Sequence, residues 1–198
     1  MRTLVIDTSS AILSVALFDG GELLGYDHRS VGRGHAEQLI PAIAALDGGG
    51  RAERVLVGCG PGSFTGIRIG IAAARALAFA WGAELRGFDS LALLAVQARR
   101  LSGADRVAVA VDGGHGEWFV STAPLIAESL TPADAAARVT CLTVAGARAA
   151  DLVALRGSGT AIAAEADARE ALALPHAAML AAATPLYGRP PDAKMAVA

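Results

Sequence analysis

Apolar and polar positions change their period several times along this chain, and the changes mark its elements. Leu4-Val5-Ile6 is a short aliphatic run, read as a strand that ends at Asp7-Thr8-Ser9-Ser10. Leu13 to Phe18 reads as a second strand. Asp19-Gly20-Gly21 is a hairpin turn signal, and Glu22 to Ser30 completes a meander. The period then lengthens. Ala36, Leu39, Ile40, Ile43 and Leu46 follow helical spacing, which predicts a helix over 35–46 with Pro41 as a kink or a wide first turn. Val55-Leu56-Val57 is β-branched and aliphatic, a buried strand.

A glycine loop over 58–66 follows, and Ile67 to Trp81 is proline-free and helix-forming. On that helix Gly70, Ala73, Ala74, Leu77 and Trp81 share one side, and Ile67, Ile71, Ala74 and Ala78 an adjoining one. Arg68 and Arg75, seven apart, share a face. A helix apolar over most of its circumference is covered on more than one side, here by its own sheet and by a partner. Glu84 to Phe88 predicts a strand, and Asp89-Ser90 caps a helix from Leu91 to about Leu101. The first half therefore reads β-β-β-α-β-α-β-α. Ser102 to Asp105 is the expected junction between an N-terminal unit, 1–102, and a smaller unit, 103–198.

In the second half the pattern weakens. Arg106 to Asp112 and Glu117 to Ala123 read as strands around a Gly113-Gly114-His115-Gly116 turn. Thr131-Pro132-Ala133-Asp134 is a helix start, with Thr at the N-cap, Pro at N1 and an acid at N3. Cys141 to Val144 and Leu152 to Leu155 are expected strands. The Ala-rich stretch Ala161 to Leu174 has no clear placement, and Pro175 to Ala183 is an expected helix. The proline-bearing tail from Pro185 to Lys194 is expected to be extended, returning to the first unit. No internal repeat is visible.

Composition narrows the function classes. The 198 residues are 54% hydrophobic and 18% charged, with a net charge of −2. Such a chain has a real core, is not disordered, and is poorly suited to broad nonspecific nucleic-acid binding. Cys59 and Cys141 make no disulfide framework, and no signal sequence or membrane span is read, so a cytoplasmic location is expected.

Candidate chemistry sits in two loops. A strand ending in Asp7, followed by Thr8 and Ser9 and a hairpin, is the first phosphate-loop arrangement of the actin, Hsp70 and sugar-kinase superfamily; it equally suits a capped turn. Gly60, Gly62 and Gly66, with Ser63 or Thr65 as a helix cap, place bare backbone N–H groups at a helix start. That loop suits an anion, a close-packed partner backbone, or only a tight turn that binds nothing. No Gly-Lys-Ser/Thr follows it, so it is not a P-loop.

Three segments in order resemble one family. They are Leu4-Val5-Ile6-Asp7-Thr8-Ser9-Ser10, His35-Ala36-Glu37-Gln38-Leu39-Ile40-Pro41, and Gly60-Pro61-Gly62-Ser63-Phe64-Thr65-Gly66-Ile67-Arg68-Ile69-Gly70. Together they resemble the TsaB family, formerly YeaZ. The resemblance is dense over the first hundred residues and returns at Pro185-Leu186-Tyr187 and Pro191-Asp192-Ala193-Lys194. It implies an α/β fold of the actin/Hsp70/sugar-kinase (ASKHA, ribonuclease H-like) type in two subdomains. It further implies a non-catalytic subunit that pairs with its paralogue TsaD. The pair recruits the ATPase TsaE for threonylcarbamoyl transfer to adenosine 37 of tRNAs reading codons that begin with A.

On that reading tRNA is met only through the complex, a homodimer can form when TsaD is absent, and no membrane, metal or cofactor is expected. Partner contacts are expected from His35, Glu37, Leu39, Ile43, Leu46, Arg68, Gly70, Ile71, Ala74, Arg75 and Leu77. Asp7, Thr8, Ser9, Gly60, Gly62, Ser63, Thr65 and Gly66 are expected to be a vestigial phosphate-loop set.

The catalytic paralogue carries His-x-x-x-His where this chain reads Asp89-Ser90-Leu91-Ala92-Leu93, and Leu93 cannot bind a metal. The family's Asp-Ala-Arg-x-x-Glu-Val-Tyr is here Asp112-Gly113-Gly114-His115-Gly116-Glu117-Trp118-Phe119, without the arginine. The competing reading is a nucleotide-dependent kinase or ATPase built on Asp7 and the glycine loop. A protease reading lacks both His-Glu-x-x-His and Gly-x-Ser-x-Gly.

Overall fold

Strand β1 (Arg2–Asp7) is buried from Thr3 onward, and its side chains divide by the two-residue period of a strand. The computed structural model describes residues 1–188. Leu4 and Ile6 join one core cluster, while Val5 faces another. A strand covered on both faces needs apolar residues at every position, which is why Leu4-Val5-Ile6 shows no alternation.

Around β1 lie β2 (Ile12–Asp19), β3 (Glu22–Ser30), β4 (Arg54–Gly58) and β5 (Glu84–Phe88). The sheet order is β5-β4-β1-β2-β3. The first three strands are antiparallel, and β4 and β5 are added in parallel. Helices α1 (His35–Ala44) and α2 (Phe64–Trp81) belong to the core cluster on the Leu4/Ile6 face, and α3 (Ser90–Ser102) to the cluster on the other.

The second half repeats this plan. Strands β6 (Ala108–Gly114), β7 (Glu117–Ala123), β8 (Ile126–Leu130), β9 (Thr143–Ala145) and β10 (Thr160–Ile162) form a sheet in the order β8-β7-β6-β9-β10. Helix α4 (Pro132–Arg138) follows the third strand and α5 (Ala149–Arg156) the fourth. Both halves therefore run β-β-β-α-β-α-β with one strand order, the duplicated plan of an actin-like α/β fold. The repeat lies in topology and not in residues, so the sequence does not display it. Helix α3 sits between the two sheets, where Leu91 and Leu94 pack with Val5 and Phe88 of the first and Val109 and Phe119 of the second.

Several expected elements differ. Helix α2 starts at Phe64, three residues early, because Ser63 is its N-cap and its Oγ accepts from Gly66 N at 3.2 Å. Helix α1 ends at Ala44 and runs through Pro41, whose missing N–H leaves the Glu37 carbonyl without its intrahelical donor. Leu152 to Leu155 lies in α5 and not in a strand; Leu152 is fully buried against the second sheet, and Gly157 ends the helix in the left-handed region.

Strand β8 was not anticipated; Leu125, at φ 60°, turns the chain into it. Pro175 to Ala183 is not a helix. It is a 3₁₀ turn, His176–Ala178, followed by strand β11 (Met179–Leu180), which pairs antiparallel with β5. Ala161 to Leu174 comprises part of β10 and a 3₁₀ helix, Ala168–Ala173, whose Ala168 N donates to Ser14 Oγ at 2.9 Å.

Among the described residues one helix, α2, is long and apolar enough to cross a membrane by length and composition. Its Ile67, Ile71, Ala74 and Ala78 are spent in the core against the first sheet.

Asp89 joins the halves. Its Oδ1 accepts from Leu91 N (2.8 Å) and Ala92 N (3.2 Å), capping α3, and its Oδ2 accepts from Leu125 N (2.7 Å) at the β7–β8 turn. Asp89→Ala removes a cap and leaves the partly exposed Leu125 N–H without its acceptor, an expected loss of about 1–3 kcal/mol. Urea unfolding checks this, and a midpoint equal to that of the unaltered chain would refute the tie.

Candidate functional site

Between the two sheets lies a cleft of about 1070 Å³. Its floor is apolar, with Leu91 and Leu94 of α3 and Phe119 of β7. The β1–β2 turn and the β6–β7 turn enter it from opposite sides, bringing Ser9 and Ser10 from one and Gly113 to His115 from the other. Duplicated topology makes the two turns equivalent.

The first turn satisfies itself internally. Asp7 is 1% exposed. Its Oδ1 accepts from Ser9 N (2.9 Å) and Ser9 Oγ (2.7 Å), and its Oδ2 accepts from Ser90 Oγ (2.7 Å). Burial pushes the Asp7 carboxyl above the usual carboxylate range, and the bonds from Ser90 and Ser9 pull the other way. Thr8 Oγ1 donates to Gly66 O at 2.7 Å, and Ser63 N donates to Ser9 O at 2.7 Å.

The glycines of the loop are small because this turn presses on them. A Cβ on Gly62 would overlap Ser9 O, on Gly66 Thr8 O, on Gly70 Thr8 Oγ1, and on Gly58 the Asp7 carboxylate. Gly60 lies at φ 92°, and its N–H donates to Ser90 Oγ at 3.2 Å. The backbone packed against the loop is the chain's own, from Thr8 and Ser9 of the β1–β2 turn, where the sequence left open an anion, a partner backbone or a bare turn. Thr65 is exposed and does not cap; Ser63 does.

In the second turn Asp112 Oδ1 accepts from Gly114 N at 2.8 Å and Oδ2 from Arg148 at 2.6 Å. The Arg148 bond and the Gly114 amide hold the Asp112 carboxyl below the usual carboxylate range. At the cleft wall burial pushes the Glu165 carboxyl upward, against the Ser10 hydroxyl.

The expected partner-contact residues divide by burial. His35, Leu39, Ile43, Leu46, Gly70, Ile71 and Ala74 lie inside the chain's own core. His35 Nε2 donates to Ile12 O at 3.2 Å, and Gly70 faces Thr8 and Val57. These contacts are intrachain because the helical stripe they form is the one turned to the first sheet. Glu37, Arg68 and Arg75 are exposed and Leu77 partly so. His28 of β3 is half-buried, with Nδ1 2.9 Å from Ser14 Oγ.

The face left outward holds residues that sequence reading passed over. Ala72, Ala76 and Phe79 of α2 are exposed, and Phe79 is 92% exposed. On α1, packed beside α2, Ile40 is 48% exposed. Their signal is the i, i+4, i+7 spacing of 72, 76 and 79, offset from the buried stripe. Tyr187 was also missed as a site residue, though it stands in the tail motif. Its hydroxyl accepts from Arg68 Nε (3.2 Å) and from the second guanidinium nitrogen (3.1 Å). Arg68 in turn lies 3.8 Å from the Phe64 ring centroid. Pro191 to Lys194 falls outside the described residues.

Comparisons with known proteins fit this picture. Residues 29–187 match the family described as TsaD, tRNA N6-adenosine threonylcarbamoyltransferase. Over 126 residues the chain is 38% identical to the tRNA threonylcarbamoyladenosine biosynthesis protein TsaB of Escherichia coli, a match covering 60% of this chain and 53% of that one. It is 31% identical over 108 residues to TsaB of Bacillus subtilis, covering 52% and 47%. The chain thus spans about half the length of the curated relatives it matches. Among solved structures, YeaZ from Pseudomonas aeruginosa superposes with a TM-score of 0.76 at 29% identity, over 94% of this chain and 99% of that one.

Two outcomes follow from the buried contacts. Gly70→Val and Ala74→Leu overpack the core and are each expected to destabilise the isolated chain by about 1–3 kcal/mol in urea unfolding; unchanged stability would place these positions at the surface. A raised Asp7 pKa means the folded state holds that proton more tightly than the unfolded chain. Its favourable contribution is complete below the unfolded value and is lost as pH rises through the folded one. Asp7→Asn should therefore lose stability relative to the unaltered chain in acid and recover it toward neutral pH. Parallel stability–pH curves would refute the shift.

Proposed function

Because the chain belongs to the TsaB (YeaZ) family, we propose that it is a non-catalytic pairing subunit in the synthesis of threonylcarbamoyladenosine in tRNA. Its partner on this reading is the transferase paralogue TsaD. The pair engages the ATPase TsaE, and the modified base is adenosine 37. The observation that carries the proposal is the outward face of α1 and α2. Phe79, Ala72 and Ala76 of α2 and Ile40 of the adjacent α1 are exposed apolar residues on helices whose other sides are already buried. The docking set thus becomes these four with Glu37, Arg68, Arg75 and Leu77. A partner of like fold can present the same helices, so an approximately two-fold pairing suits this surface, and a homodimer is its substitute when the partner is missing.

Two features support a non-catalytic role. The Asp7 carboxylate accepts three hydrogen bonds from its own chain and lies fully buried. Leu93, where the catalytic paralogue has a metal-binding histidine, is fully buried in the core around α3.

Co-expression with the cognate TsaD, followed by size exclusion with mass determination, tests the reading. A one-to-one complex is expected. Phe79→Glu and Ile40→Glu should each weaken it at least about tenfold by burying an unpaired charge, with the fold of the isolated chain unchanged. Absence of a complex, together with Mg-dependent ATP turnover abolished by Asp7→Ala, would move the assignment to an independent nucleotide enzyme.

A further inference from the structure

The last described residues cross from one half of the molecule to the other. At Ala183 the carbonyl accepts from Arg75 of α2 at 2.7 Å. Leu186 N then donates to Cys59 O at 2.7 Å, just beyond β4. The Leu186 side chain packs into the cluster that holds Leu4 and Ile67. Tyr187 stacks near Phe64, with ring centroids 5.6 Å apart, and takes the two Arg68 bonds. One residue later Gly188 lies against the ring of Phe119 in β7 of the second sheet, so closely that a Cβ would overlap it. Leu186, Tyr187 and Gly188 all line the cleft.

We propose that the segment from Ala183 to Gly188 is a strap across the α2 side of the cleft, latched by the Phe64–Arg68–Tyr187 stack and holding the two sheets at a fixed separation. The floor of the cleft is α3, a continuous packed core. On the β2 side the chain crosses again, where Ser14 Oγ accepts from Ala168 N. The α2 side differs in kind: its latch is an exposed cation over an aromatic ring and a hydroxyl, contacts that are individually weak in water. Such a latch opens without disturbing the core. Its position also matters. Arg68 and Arg75 hold the strap from the helix that carries Phe79, so a body resting on that helix meets the strap at its edge.

Distance measurement between spin labels tests this on the full chain. Cysteines placed at Arg33 and Ala147, both exposed and lining the cleft from the two halves, report its width. Cys141→Ser removes the partly exposed thiol. Cys59 stays unreactive because burial pushes its thiol up to about 12. Tyr187→Ala, which removes the ring and hydroxyl, should shift the distance distribution longer and broaden it. Tyr187→Phe, which keeps the ring and loses the acceptor, should give an intermediate shift. Gly188→Val attacks the other end, forcing the chain from Phe119, and should reproduce the shift of Tyr187→Ala. Circular dichroism confirms that each variant is folded. Distributions unchanged in both Tyr187→Ala and Gly188→Val overturn the strap. A shift in Gly188→Val alone overturns the latch.

Discussion

The seating of the β1–β2 turn beneath the start of α2 is the constraint on which the rest depends. Three carbonyl or hydroxyl oxygens of Thr8 and Ser9 press on positions 62, 66 and 70. Any side chain there would lift the helix from the sheet. With the helix seated, Asp7 is sealed below it and Ser90 is drawn in, which fixes where α3 begins. One turn thereby sets the placement of both helices that flank the first sheet. The arrangement resembles a phosphate-binding loop in sequence because both need bare backbone at a helix start. Here the oxygens that meet those amides and glycines are the chain's own.

The first half of the fold was legible because its signals are local. Aliphatic runs, a hairpin Asp-Gly-Gly, a Ser or Asp before a helix and glycines beyond it each act within a few residues. The second half was less so for a physical reason. Alanine dominates it, and alanine carries little periodic contrast between buried and exposed positions, so Leu152 to Leu155 could be read as strand when it is helix. Met179–Leu180 gains strand character only by pairing with β5, an interaction spanning ninety positions of sequence. The duplicated strand order is a property of pairing alone and leaves no trace in residue identity.

The candidate site was half legible. Sequence periodicity located α1 and α2 but could not say which stripe of α2 faces the sheet, since that helix is apolar nearly all round. Gly70, Ile71 and Ala74 look like a close-approach surface and are one, but toward Thr8 and Val57 within the chain. Phe79 stands where a solvated helix would carry a charge; the spacing of 72, 76 and 79 marks its stripe, and its exposure shows that the stripe faces outward.

On the proposed pairing, helix α2 answers to two surfaces at once, and that restricts its history. A helix with one buried stripe can drift freely on its outer positions. In α2 the inner stripe is fixed by the turn it covers and the two arginines by the returning chain; under the proposed pairing the outer stripe is fixed by the partner. Few positions are left where a substitution is neutral. The second sheet, with α4 and α5 on its far face, carries no such double obligation and is free to diverge. Change in this fold should accumulate at one end of the molecule, so that relatives stay recognisable through the helix long after their remaining halves have ceased to align.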